Sequence, residues 1–158
     1  MINVTKYEKL LEEARKHGIE SYELPLSSDC GYYVDNVAYI NRSSTNAEKH
    51  GTLGEELGHH FTSTGNILNQ NDTNNKKQEQ KARGWGIEHT VPLTTLVEAI
   101  DYPCLTRTEL ANYLEVTEKL LMEAIEYYKQ KYGLYVTINE HTIWFEPLRL
   151  IKMFTDKK

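Results

Sequence analysis

The sequence predicts an α+β fold, and three observations carry that prediction. Runs with helical apolar spacing alternate with short β-rich runs, polar pairs of hairpin type divide the β-rich runs, and a segment dense in carboxylates and imidazoles follows directly on the first of them. A length of 158 residues suits one domain, or one small domain with a helical extension. The expected arrangement is a small antiparallel or mixed sheet packed on a motif helix within residues 1–100. A helical pair and a C-terminal hairpin follow within residues 101–158, packed on the first part.

Taken in order, Thr5 to His17 places Tyr7, Leu10, Leu11 and Ala14 on one face between Lys and Glu, a one-faced helix that stops at Gly18. Ile19 to Leu26 reads as extended and leads into Tyr32 to Asn41, where Asp35-Asn36 between two β-rich runs reads as a hairpin turn. The next helix begins within Asn46 to Thr52. Gly51, Gly54 and Gly58 weaken it by roughly 1 kcal/mol each relative to alanine, a cost that close backbone packing, most economically next to the sheet, would offset. Ser63 to Asn75 is a polar, asparagine-rich loop. Lys76 to His89 is a helix that stops near Pro92, with Glu79, Ala82, Arg83 and Gly86 in one stripe whose small residues admit a close neighbour. Leu93 to Ile100 is a short amphipathic segment, and Thr106 to Leu114 and Val116 to Tyr132 are two further helices. Leu134 to Ile138 and His141 to Phe145 form a hairpin about Asn139-Glu140 that Pro147 ends, and Leu148 to Lys158 is a docked tail.

The chemistry concentrates in Leu53 to Phe61. On a helix Glu55 and His59 are four apart and share a face, while Glu56 lies one position round. This is the geometry by which a helix gives a metal two ligands and sets a carboxylate beside the attacking water. The usual hydrolytic form reads His-Glu-x-x-His, and here Glu55 holds the first position. A catalytic zinc site takes three protein ligands and leaves one position open. His59 supplies a neutral nitrogen, Glu79 a carboxylate from the following helix, and either Glu55 or His60 completes the set. Glu56 is then the general base that passes its proton to the leaving amine. Two carboxylates neutralise zinc more fully than one, so its water is less acidic, and slower turnover or another divalent metal follows. The alternative use of these residues is an exposed acidic pair beside one buried and one exposed histidine.

Charge and composition bound the partners. A net charge of −5 and a pI near 5.7 argue against general affinity for nucleic acid or anionic membrane. Cys30 and Cys104 are isolated and read as free thiols in a reducing compartment, and no apolar run is long enough for a signal core or a membrane span. The cytoplasm is therefore the expected location. Thr106 to Thr117 has the cadence of a helix-turn-helix, which makes a DNA-binding accessory using residues 106–128 a further reading. Glu123 and Glu126 on its second helix oppose phosphate contact.

Gly31 to Asn36, Ile40-Asn41, Leu53 to His60, Gln78 to Gly86, Val91-Pro92-Leu93, Glu109 to Glu118 and Tyr127 to Gly133 follow one another in a specific order. In that order the chain resembles the ImmA/IrrE family of small metallopeptidases, in particular phage and mobile-element members of Gram-positive bacteria encoded beside a repressor. The resemblance implies a zincin-like minimal metallopeptidase fold, zinc, and a cognate repressor as protein substrate or partner. It matches Glu56 to the catalytic glutamate, His59 to the second histidine ligand and Glu79 to a glutamate of the third-ligand helix. Glu55 stands where most members have histidine, in a form similar to a recurring phage variant, and Lys81 where many have another glutamate. The implied function is a metal-dependent endopeptidase acting on a repressor; the alternative is a weak or inactive relative that regulates by binding it. A groove beside the edge Tyr32 to Asn41 would suit an extended substrate by strand addition.

Overall fold

The computed structural model describes residues 2–28, 31–63, 72–100 and 106–152, without the side chains of residues 72, 73 and 100. The chain is a mixed α+β protein of two compact units, Met1–Thr90 and Val91–Lys158. The sequence reading sets its division after residue 100, and the contacts set theirs ten residues earlier.

Unit 1 opens with helix α1 (Lys6–Lys16), started by a capping box between Thr5 and Glu8 and closed before Gly18, whose φ of +77° ends the helix. Strands β1 (Glu20–Leu24), β2 (Tyr32–Val34) and β3 (Val37–Asn41) form one sheet in the order β1-β3-β2. β1 runs parallel to β3 and β2 antiparallel to it, so the sheet is mixed. The Asp35-Asn36 turn forms as expected: both residues take positive φ, 48° and 63°, which matches the right-handed twist of a two-residue hairpin. Helix α2 (Asn46–Thr62) starts on a second capping box, Thr45 with Glu48. Tyr7, Leu10 and Ala14 of α1, Ile19, Ala38 and Ile40 of the sheet, and Leu53 and Leu57 of α2 make a single buried cluster. The Glu23 carboxylate ties three elements over this core. It accepts from Tyr7 Oη at 2.9 Å and from Lys49 Nζ at 2.8 Å.

Helix α3 (Asp72–Thr90) completes unit 1 and begins four residues before the expected Lys76, so the end of the predicted polar loop is helical. Residues 64–71 of that loop, and both cysteines, lie outside the described residues. The four-residue stripe is only partly as expected: Ala82 and Gly86 are buried against α2, while Glu79 and Arg83 are exposed.

Unit 2 contains α4 (Leu93–Ile100), α5 (Arg107–Leu114), α6 (Glu118–Tyr132) and an antiparallel meander β4-β5-β6 (Tyr135–Ile138, His141–Phe145, Leu148–Lys152). Leu114, Leu121, Tyr128 and Ile143 are among its buried side chains, and Tyr128 Oη donates to the Val91 carbonyl at 2.7 Å. The third strand corrects the expectation of a tail after Pro147. Pro147 stands in the turn between β5 and β6, where it needs no ladder partner, and Leu148 and Leu150 alternate inward on β6.

Candidate metal centre

Two helices that touch at the backbone build the site. A Cβ placed on Gly58 of α2 would lie 2.1 Å from the Ala82 carbonyl oxygen of α3, and one on Gly86 would lie 2.9 Å from the Gly54 carbonyl. At Gly58 the helices meet backbone to backbone, while Thr90 sets its Cγ2 against Gly54 and donates its hydroxyl within α3 to the Gly86 carbonyl at 2.8 Å. Gly54 and Gly58 therefore answer to α3 and not to the sheet, which corrects the packing expected for them. The functional consequence is positional: His59 follows Gly58 directly, Glu79 precedes Ala82 by less than a turn, and their side chains meet at the seam.

The structure brings Glu55, His59 and Glu79 together, with one potential ligand atom from each within 4.8 Å of the others. His59 Nε2 is 3.6 Å from Glu79 Oε2. Glu79 is exposed and His59 half-buried, so the group opens to solvent. Glu56 is different, with only 7% of its surface exposed. Burial raises its carboxyl pKa to about 7, helped by the negative charges of Glu55 and Glu79. His60 lies outside the three-residue group. The Tyr33 hydroxyl donates to Asn36 Oδ1 at 2.9 Å and accepts from His60 Nδ1–H, so His60 fastens the end of α2 to the β2-β3 hairpin.

A cleft of about 380 Å³ lies against this group, lined by Glu55, Glu56 and His59 on one side and by Tyr32 and Tyr33 of β2 on the other. Thr52, one turn before Glu56, and Gly31 also line it. Gly31 passes so close to its neighbours that a Cβ there would lie 2.5 Å from the Tyr39 carbonyl oxygen and 2.6 Å from Thr52 Cγ2. The sequence reading named the β2 edge as a groove but missed Thr52, which its spacing of three and four from Glu55 and Glu56 places on the same helical face. It also missed the Tyr33–His60 contact, which joins residues 27 apart and leaves no local signal.

The donor set fits a divalent cation. One imidazole and two carboxylates are ligands for zinc, and the oxygen content also admits harder ions. The charges of Glu55 and Glu79, which add to burial in raising the Glu56 pKa, are charges that a bound cation would neutralise. A three-donor group on two helices, a buried carboxylate one residue away and an open cleft define a candidate hydrolytic metal site. The family model Peptidase_M78, IrrE N-terminal-like domain, matches residues 14–126, and the chain belongs to that family. The match makes a metallopeptidase ancestry, and with it a metal, the family background of the site. Comparison with curated proteins and with solved structures gave no match. Among the described residues no helix is long and apolar enough to cross a membrane.

Proposed function

We propose that this chain is a cytoplasmic, metal-dependent endopeptidase of zincin-like fold, carried by a phage or mobile element of a Gram-positive bacterium and acting on a repressor protein. The convergence of Glu55, His59 and Glu79 within 4.8 Å carries this reading. Those three residues would hold the ion, zinc being the first candidate. When bound, the ion supplies Lewis acidity, which acidifies water and polarises a carbonyl. Glu56 is the general base. Its buried carboxylate takes a proton from the attacking water and returns it to the leaving nitrogen, a task suited to a group whose pKa lies near neutrality. β2 supplies the substrate's seat, since its outer edge lines the cleft and can align an extended peptide by main-chain hydrogen bonds. Neither membrane nor nucleic acid is a partner in this reading.

Metal analysis of protein purified without tag or chelator tests it directly. About one ion per chain, lost in Glu55→Ala, His59→Ala and Glu79→Ala, is the expected result; a folded protein that takes up no ion when one is supplied overturns the reading. A second reading rests on Glu55 at the position where the resembled family mostly has histidine: a scaffold that regulates by binding the repressor without cutting it. Glu56→Gln separates the two, because it abolishes function in a peptidase and spares it in a binder.

A further inference from the structure

Among the described residues, the edge of the unit 1 sheet remote from the cleft carries no further strand. In the order β1-β3-β2, β1 pairs only with β3, and among the described residues no strand occupies its other side. Glu20 donates its N–H to the Asn36 carbonyl and Leu24 accepts from the Arg42 N–H, so residues 20, 22 and 24 turn their main-chain groups toward β3. By strand alternation the N–H and C=O of Ser21 and Glu23 face outward. A groove of about 450 Å³ runs along this edge beneath α1, with Leu11, Glu8 and Arg15 on one wall and Ser21 and Tyr22 on the other. Ser21 Oγ is buried there with no hydrogen-bond partner, a state that costs about 1–3 kcal/mol unless something supplies an acceptor.

We infer that a second copy of this chain occupies the edge, as a two-fold antiparallel extension centred on Tyr22 that joins the two three-stranded sheets into one of six. The pairing is self-complementary at each level. Ser21 falls opposite the partner's Glu23 and Glu23 opposite the partner's Ser21, the two outward-facing residues of each strand, which is the register an antiparallel ladder requires. Glu20 falls opposite Leu24, so no like charges meet. The partner's Glu23 carboxylate accepts from its own Tyr7 and Lys49, and the lone pairs left on its oxygens offer the orphaned Ser21 hydroxyl an acceptor across the ladder. Arg42 already donates its guanidinium to the Glu23 carbonyl at 3.1 Å, and that oxygen keeps a second lone pair for the partner strand.

The flanking surfaces obey the same axis. Tyr22 is 48% exposed and stands in a row with Tyr39 and Tyr32 across the outer face, with ring centroids 6.3 and 4.6 Å apart. Two-fold pairing continues this row through Tyr22 into the second sheet. On the other face the two α1 helices run antiparallel, which sets Leu11 near its own copy and Arg15 toward the partner's Glu8. Because β2 is the opposite edge, both clefts stay open at the two ends of the joined sheet.

Sedimentation velocity on the full chain, from about 1 to about 100 µM, tests the inference without reference to activity. The expected result is a concentration-dependent species of twice the 18.4 kDa chain mass, with Tyr22→Lys raising the dissociation constant at least about tenfold through like charges at the axis. Register is read by cross-linking in a Cys30→Ser, Cys104→Ser background. Tyr22→Cys forms an intermolecular disulfide, since a residue on the axis faces itself at disulfide distance, and Glu20→Cys does not. A monomer throughout the range, or equal cross-linking at both positions, overturns the inference; a monomer whose β1 amides are protected only by another protein assigns the edge to that protein instead.

Discussion

Glu56 is nearly buried, and without a bound ion its carboxyl holds a proton up to about pH 7 because burial, then Glu55 and Glu79, oppose its charge. The linkage sign follows: between about pH 4.5 and pH 7 the unfolded chain releases this proton while the folded chain keeps it, so stability falls as pH rises through that window. Chelator-treated protein should lose stability on the order of 3 kcal/mol across it, and Glu56→Gln should flatten the profile; thermal melts at a series of pH values check both. Bound ion should restore most of the loss at pH 7 by neutralising the neighbouring carboxylates. Glu23 runs in the opposite direction. Burial pushes its carboxyl up, but the hydrogen bonds from Lys49 and Tyr7 and the charges of Lys49 and Arg42 together hold it below the usual range. Its contribution is present above the unfolded pKa and is lost as pH falls through the lower folded value. Glu23→Gln should cost about 1 kcal/mol at pH 7, a figure kept small because the carboxylate is partly exposed, measured by urea denaturation, and nothing at a pH where both forms are uncharged. At this scale the sequence was readable where chemistry has a short period: Glu55 and His59 share a face because they are one turn apart. Tyr33 over His60 was not, because only the folded hairpin brings them together.

The helix seam shows how an element can be anticipated correctly and its neighbour misassigned. Three glycines in α2 demanded a close approach, and the small-residue stripe of α3 offered one, yet periodicity names a face without naming what covers it. The Gly58–Ala82 and Gly54–Gly86 contacts supply that missing link, and they also carry the site, since the seam sets the spacing between His59 and Glu79. Gly58→Ala should therefore do more than destabilise. A Cβ 2.1 Å from the Ala82 carbonyl oxygen meets backbone, which cannot rotate away, so the helices must part. The expected cost is about 2–3 kcal/mol of stability, the range for overpacking, with metal affinity falling at least about tenfold because Glu79 moves with α3. Denaturant titration read beside metal titration checks the pair; a destabilised variant that keeps full metal affinity would show that the seam does not position the ligands. β6 was missed for a related reason. Pro147 was read as a stop, which is right for a central strand position but not for the turn that precedes an edge strand.

Across the whole molecule, the two units divide the question of function. All four residues of the candidate site lie in unit 1, while the family match runs through residue 126 and so takes in α4, α5 and most of α6. The helix-turn-helix cadence of residues 106–128 has a real counterpart in the fold. α5 ends at Leu114, Glu115 takes the left-handed conformation with φ of 53°, and Thr117 caps α6. Its surface chemistry nevertheless argues against DNA. The first turns of α6, which such a motif presents to base edges, carry Glu118, Glu123 and Glu126 against Lys119, and Thr108 donates to Glu118 at 2.7 Å, so this carboxylate belongs to the join between the helices. On a chain of net charge −5 there is little to release counterions from a duplex. Fluorescence anisotropy with a labelled duplex should therefore show binding no tighter than about 10⁻⁴ M at physiological salt, with a shallow dependence of affinity on salt. Tight binding that weakens steeply with salt, and that Lys119→Glu abolishes, would transfer the function from the cleft of unit 1 to the helical pair of unit 2. Weak, salt-insensitive retention leaves that pair without a use for DNA, and the proposed function then depends on what enters the cleft beside Glu56.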